Sequence, residues 1–192
     1  CGYKCIALTD HTSYSNLDFI ISRVSKDCKL AEKYWGINAI TGVELTNVPA
    51  KSIDEMAGKA KELGAKLVVV HGESIAEDVE PGTNMEAVKS EYVDILAHPR
   101  FVTLEEAKLA GKNDIFIEIT SRAGHSLTNG VVVNIGREAG VKFLINSDAH
   151  SHRDLFKPGV QEKIGLGAGL DKDEIKEIFS RNFKQFFKRI NC

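Results

Sequence analysis

Short apolar runs alternate with segments of helical periodicity along the chain, and this alternation restricts the fold more than any other feature of the sequence. Six runs predict strands, at residues 5–8, 37–43, 67–70, 92–97, 115–119 and 142–145. The intervening segments have the spacing of amphipathic helices, at residues 14–34, 52–63, 84–91, 104–110 and 128–139, with a final helix from 171 to about 189. Strands that alternate with helices form parallel βα units, so we predict an α/β fold.

The composition indicates one compact domain, which we predict to span residues 1–192. Hydrophobic residues make up 43% of the chain, which is enough to bury a sizeable core. The 25 basic and 27 acidic residues are mixed along most of the sequence, which argues against a nucleic acid partner. No tract resembles a signal peptide or a membrane span, and the four cysteines favour a reducing, cytoplasmic setting without a membrane partner.

Ionisable side chains follow the predicted strands where each strand ends. They are His11, Glu44, His71, His98, Asp148 and His150. In a parallel α/β barrel the carboxyl ends of the strands converge on one face, so these residues are expected to meet. Imidazole and carboxylate are ligands for zinc, iron and manganese, and this set exceeds what one tetrahedral ion needs. A single strand-end histidine is more often hydrogen-bonded than a ligand, but six ionisable residues at equivalent positions favour a site with two or more metals.

Two other chemistries are weaker. Ser147 lies beside Asp148 and His150, as in a serine hydrolase, but the G-x-S-x-G motif is missing. The glycine-rich segment at 165–169 follows polar residues rather than a strand, which predicts a loop and not a nucleotide site.

Four residues are candidates for binding an anionic substrate, namely Arg100, Arg122, His125 and Arg153. Each follows a strand end and could donate hydrogen bonds to a phosphate group. Each could equally pair with a surface carboxylate. Asp10, Glu73 and Glu118 are predicted to orient the metal ligands through hydrogen bonds.

Six short motifs together resemble the PHP family, the polymerase and histidinol phosphatase superfamily. They are ALTDH at 7–11, GVE at 42–44, VVVHGE at 68–73, ILAHP at 95–99, FIEIT at 116–120 and INSDAH at 145–150. The resemblance implies a distorted (βα)7 TIM-like barrel that holds up to three metals. It also implies that His11 and His150 ligate one metal, that His71 and His98 ligate a second, and that Asp148 ligates a third, with Glu44 bridging two of them.

The chain departs from the family pattern at its start. Family members open with a strand that ends in H-x-H, whereas this sequence begins at Cys1 and shows six βα units. Either that strand lies outside this sequence or the protein is a natural variant that lacks it. The first explanation is favoured, because removal of a barrel strand exposes the edges of both neighbours. A real loss would put the site on Asp148 in doubt.

The resemblance implies a metal-dependent phosphoesterase similar to histidinol-phosphate phosphatase. We expect it to hydrolyse a small phosphomonoester by attack of a metal-bound hydroxide, with Asp148, His150 and Glu44 as catalytic residues. Two or three divalent ions are expected, either zinc, manganese or iron, with magnesium as a further candidate. A PHP-type nuclease or phosphodiesterase is one alternative, and a catalytically silent PHP-like scaffold or ribonucleoprotein subunit is another. The sequence leaves the oligomeric state open.

Overall fold

A parallel sheet with helices between its strands forms the framework of the molecule. The computed structural model describes residues 2–190, and Cys1 and Cys192, the ends of the predicted domain, lie outside the described residues. The strands are β1 Cys5–Leu8, β2 His11–Thr12, β3 Asn38–Leu45, β4 Leu67–His71, β5 Ile95–Ala97, β6 Phe116–Thr120 and β7 Phe143–Asn146. The helices are α1 Leu17–Trp35, α2 Ile53–Glu62, α3 Thr83–Lys89, α4 Leu104–Lys112, α5 Asn129–Ala139, α6 Val160–Gly167, α7 Lys172–Glu177 and α8 Phe183–Arg189.

Every strand pairing in the sheet is parallel, and the strand order is β1-β3-β4-β5-β6-β7. The short β2 follows β1 along the same neighbour, since His11 pairs with Glu44 of β3. The six strand positions form a curled half-barrel consistent with a TIM-like fold, which confirms the predicted α/β class and parallel sheet. Their carboxyl ends point the same way, so the strand-end residues share one face.

Both faces of the central strands are buried, as β4 shows, because all five of its residues are buried. Val68 and Val70 pack in the cluster that faces the helices. Leu67 and Val69 belong to a second cluster on the inner face of the half-barrel. A strand buried on both faces is a continuous apolar run, which is why the sequence LVVV lacks alternation.

The C-terminal helices cover the inner face and the amino-terminal end of the sheet. Phe186 and Ile190 pack in the inner cluster. The guanidinium of Arg189 donates to Asp94 Oδ1 at 3.0 Å and to the carbonyl oxygen of Val93 at 2.7 Å. Lys61 Nζ lies 2.5 Å from Asp94 Oδ2, so this buried carboxylate, which precedes β5, has two cationic partners. Helix α8 is thereby fixed to the sheet.

Two local predictions differ from the structure. Helix α6 covers part of the segment predicted as a glycine-rich loop. It packs closely because a Cβ atom at Gly165 would lie 3.0 Å from Ile145 Cδ1 and 3.1 Å from Ile175 Cδ1, so only glycine fits without displacing them. The final helix is also interrupted, by a π-helical turn at Ile178–Asn182 between α7 and α8. Among residues 2–190, none of the helices combines the length and the apolar character that a membrane span requires.

Candidate metal centre

Three buried imidazoles meet at the carboxyl end of the sheet. His71 ends β4, His98 follows β5, and His125 begins a 3₁₀ turn after β6. One nitrogen atom from each lies within 4.8 Å of the others. The Nδ1 atoms of His98 and His125 are buried and have no hydrogen-bond partner among the described residues. Buried imidazoles with unpaired nitrogens fit a divalent ion, because such a site needs lone pairs directed at one point.

Two carboxylates and two more histidines adjoin this cluster. Glu44 Oε1 lies 3.6 Å from His98 Nε2, and Asp148 Oδ2 lies 3.7 Å from the same atom. His11 Nε2 is 3.8 Å from Glu44 Oε2, and His150 Nδ1 is 3.5 Å from Asp148 Oδ1. The rings of His11 and His150 are 5.6 Å apart, although they follow opposite ends of the strand order. The structure thus brings all six sequence-predicted metal residues to one site.

Burial controls the electrostatics of the centre. Burial raises the pKa of Glu44 to about 8 against the opposing charge of His11. Burial and the neighbouring His98 ring lower the pKa of His71 to about 4, and burial with the His125 ring does the same for His98. Glu44 Oε1 has no hydrogen-bond partner among the described residues. A bound dication would favour both the carboxylate and the neutral imidazoles, so these groups suit metal binding better than an empty centre.

Glu118 forms hydrogen bonds with the strand ends that carry the candidate ligands. It accepts hydrogen bonds from the backbone N–H of His98 at 3.1 Å and from Asn146 Nδ2 at 2.9 Å. Burial raises the pKa of its carboxyl to about 8. His98 and Asp148 both have positive φ angles, 31° and 48°, which non-glycine residues rarely adopt. Glu118 therefore fixes a strained strand end that carries a candidate ligand.

The predicted substrate residues separate into different surroundings. Arg122 and Arg153 line a pocket of about 380 Å³ together with Lys157. Asp154 connects this pocket to the candidate metal ligand His150. Its Oδ2 accepts the backbone N–H of His150 at 3.1 Å and lies 3.8 Å from Arg122 Nη1. The pocket thus adjoins His150 and has an excess of positive charge.

The remaining candidates lie elsewhere. Arg100 Nη2 is 3.5 Å from Glu73 Oε2, and His125 belongs to the imidazole cluster. Glu73 Oε1 also accepts the backbone N–H of Gly82 at 2.9 Å, so this carboxylate orders its own loop. Asp10 is exposed.

Glu77 was not predicted to be part of the site. This residue lies in the loop between β4 and α3, where acidic residues are frequent and no strand end marks it. Its Oε2 is 3.3 Å from His71 Nε2, and its Oε1 is 3.7 Å from His125 Nε2. Only the folded loop brings this carboxylate to the imidazoles.

Comparisons with known proteins give three informative relatives, although no protein-family model matches. An uncharacterized protein of Methanocaldococcus jannaschii is 50% identical over 189 residues, which cover 98% of this chain and 87% of the relative. A probable phosphatase of Caldanaerobacter subterraneus subsp. tengcongensis is 33% identical over 200 residues, covering 89% and 78%. Ribonuclease P protein component 3 of Methanosarcina mazei is 26% identical over 203 residues, covering 98% and 78%.

One solved structure has a similar fold. A chain in the cryo-EM structure of archaeal ribonuclease P with mature tRNA aligns with a TM-score of 0.72 and 17% identity over 98% of this chain and 83% of that chain. We predicted a small phosphorylated substrate as the partner and disfavoured nucleic acid. That prediction is wrong, because two relatives are named ribonuclease P protein component 3 and the similar structure is of archaeal ribonuclease P with mature tRNA. The prediction rested on charge averaged over the sequence, which does not describe any local surface.

Proposed function

This chain belongs to the family of the probable phosphatase of Caldanaerobacter subterraneus, and we propose on that premise that it is a metal-dependent phosphoester hydrolase. The observation that carries the proposal is the buried cluster of His71, His98 and His125 beside Glu44 and Asp148, at the carboxyl end of a parallel sheet. A single PHP-type domain over residues 1–192, with a distorted (βα)7 barrel, is part of the same proposal. A cytoplasmic location stays a prediction.

The residues divide into two groups of ligands in this proposal. His71, His98 and His125 would hold one ion, and a second group, His11, Glu44, Asp148 and His150, would hold one or two more. When bound, a divalent ion supplies positive charge that stabilises the negative charge developing on the phosphoryl oxygens. Zinc, manganese and iron suit this donor set, and magnesium remains a candidate.

Other side chains position the substrate and the ligands. Arg122 and Arg153 donate N–H groups from their pocket to the oxygens of an anionic substrate. Glu118 keeps the backbone of His98 in place, so the imidazole needs no rearrangement when substrate arrives. Burial of the imidazole cluster excludes water from the inner side of the site and strengthens its electrostatic interactions. Glu44, Asp148 and His150 are our candidates for contact with the reacting atoms.

A second candidate function is that of a ribonucleoprotein subunit with protein and nucleic acid partners. It is supported by the relatives named ribonuclease P protein component 3 and by the structural similarity to a chain of archaeal ribonuclease P. A nuclease is a related form of the hydrolase proposal, since the phosphoester could belong to a nucleic acid. We prefer a hydrolase because a scaffold has no physical need for so many buried ligands at strand ends.

The test is elemental analysis of protein purified without chelator, combined with hydrolysis of 4-nitrophenyl phosphate and of a 5′-phosphorylated oligonucleotide. A His71→Ala, His98→Ala double variant is compared with His152→Ala, a control at an exposed histidine outside the cluster. We expect two or three metals per chain in the wild type and the control. The double variant should lose metal and activity together while its circular dichroism stays unchanged.

Absence of metal and of activity would favour the ribonucleoprotein subunit over the hydrolase. A folded wild-type protein that contains no metal, and that stays inactive after addition of zinc or manganese, would contradict the hydrolase. Retention of a labelled precursor tRNA by that protein in a filter-binding assay would then support a ribonucleoprotein subunit.

A further inference from the structure

Glu77 reaches from the surface to two imidazoles of the buried cluster. Its side chain is 50% exposed, whereas those of His71 and His125 are 2% and 3% exposed. The two carboxylate oxygens are divided between the two rings, with Oε2 at 3.3 Å from His71 Nε2 and Oε1 at 3.7 Å from His125 Nε2. The cluster therefore has three buried nitrogen ligands and one carboxylate on its solvent side.

The hydrogen bonds of His71 indicate what lies between the ring and the carboxylate. His71 Nδ1 is 3.0 Å from the carbonyl oxygen of Gly72, which can only accept, so Nδ1 carries the proton. In a neutral ring Nε2 then presents a lone pair to a carboxylate oxygen. Two acceptors face each other stably only when a cation lies between them. A second proton on this ring is disfavoured by its burial and by the adjacent His98 and His125 rings, so a metal ion fits better.

The loop that carries Glu77 has a defined conformation. Ser74 Oγ accepts the backbone N–H groups of Ala76 and Glu77 at 3.2 and 2.9 Å, and it donates to the carbonyl oxygen of Glu77 at 3.1 Å. The loop also packs against the residue before His125, since a Cβ atom at Gly124 would lie 2.9 Å from Ala76 Cβ. The backbone is thus set over the cluster, while the carboxylate itself remains accessible to solvent.

We propose that Glu77 is a fourth, displaceable ligand of a divalent ion held by His71, His98 and His125, which rests on the proposed metal centre. Structural metal sites are closed by protein ligands, whereas catalytic sites keep one position open. Here the three histidines are buried in the fold, and the fourth ligand comes from an exposed loop. A phosphate oxygen can take the place of the carboxylate without changing the type of ligand atom, so Glu77 controls access of anions to the ion.

Cobalt(II) provides a test that does not depend on activity. The metal is exchanged into wild-type protein, Glu77→Gln and Asp78→Asn, a control at the neighbouring exposed carboxylate. The visible absorption of cobalt(II) reports its coordination number. We expect the band position and intensity to change in Glu77→Gln alone, together with a loss of cobalt affinity of about tenfold or more. Inorganic phosphate added to the wild type should produce a similar change, with a smaller effect on Glu77→Gln.

Each other outcome has a distinct meaning. Identical spectra and affinities for the wild type and Glu77→Gln would show that Glu77 is not a ligand. A change in the variant without any response of the wild type to phosphate would overturn displacement. Failure of the folded wild type to bind cobalt at all would instead contradict the metal centre, and with it the proposed function.

Discussion

Replacement of Glu118 by glutamine should change how the stability of the metal-free protein depends on pH. Burial raises the pKa of Glu118 to about 8 in the folded protein from an ordinary value of 4.5. The folded state therefore keeps a proton that the unfolded state has released. The stabilisation that this carboxyl provides is complete below about pH 4.5 and is lost as the pH rises towards 8. Glutamine is neutral at every pH, so it removes this dependence.

The magnitude follows from the four groups of the site with large pKa shifts. Each raised carboxyl, Glu44 and Glu118, lowers the free energy of unfolding by about 1.4 kcal/mol per pH unit within its window. His71 and His98, whose pKa values fall from 6.5 to about 4, have the opposite effect, which is complete above 6.5. The two effects offset each other below 6.5. Between pH 6.5 and pH 8 only the two carboxyls contribute. Over this range the free energy of unfolding should fall by about 4 kcal/mol in the wild type and by about 2 kcal/mol in Glu118→Gln.

The assay is urea unfolding of chelator-treated protein at several pH values from 6.5 to 8. Glu118→Gln can keep the bond from the His98 N–H, because Asn146 can turn its amide oxygen towards the new amide group. Glu86→Gln is the matched control: hydrogen bonds from Lys51 and Lys89 lower the pKa of Glu86, so that carboxylate is ionised throughout the range. If the free energy of unfolding falls with pH equally steeply in the wild type and in Glu118→Gln, Glu118 does not have the raised pKa from which we reason.

Two further substitutions test the frame around the site. Arg189→Met should lower the free energy of unfolding by about 3 kcal/mol, because the buried Asp94 loses a cationic partner. Arg181→Met removes an exposed ion pair and should lower it by less than about 1 kcal/mol. Equal midpoints in urea would contradict this. Gly72→Ala should reduce the metal content found by elemental analysis, because its Cβ would overlap a carbonyl oxygen of β5. Gly111→Ala is the control and should keep its metal content, because no neighbour of that position lies nearer than 3.9 Å. Unchanged metal content in Gly72→Ala would count against the close strand packing.

The fold could be predicted where local sequence decides it. A strand buried on both faces needs a continuous apolar run, and such runs mark β4 and β6 without reference to the rest of the chain. Helix α6 was not predicted, because the glycines of its last turn disfavour a helix when the local sequence is considered alone. Its position depends on contacts that Gly165 makes possible with Ile145 and Ile175, which are distant in the sequence.

The site shows the same division. The convergence of the strand-end residues could be predicted, because parallel strands bring their carboxyl ends to one face whatever the conformation of the loops. His125 was expected to bind substrate, and Glu77 was not considered at all. Both lie in loops beyond the strands, and these two loops pack closely where Gly124 approaches Ala76. Contacts between two loops have no periodic signal in the sequence.

Strain and burial at the site imply that a metal ion bound there would stabilise the fold. His98 and Asp148 are two of only four non-glycine residues with positive φ among residues 2–190, and each such conformation costs about 1–3 kcal/mol. Glu44 adds a buried carboxyl oxygen, Oε1, that has no hydrogen-bond partner in the same described part of the chain. These costs are tolerated because Glu118 and the packed sheet hold the strand ends in place. An ion that binds the folded state offsets them, so zinc or manganese should raise the unfolding temperature of chelator-treated protein. The histidine cluster is thus expected to contribute to stability only when it is loaded.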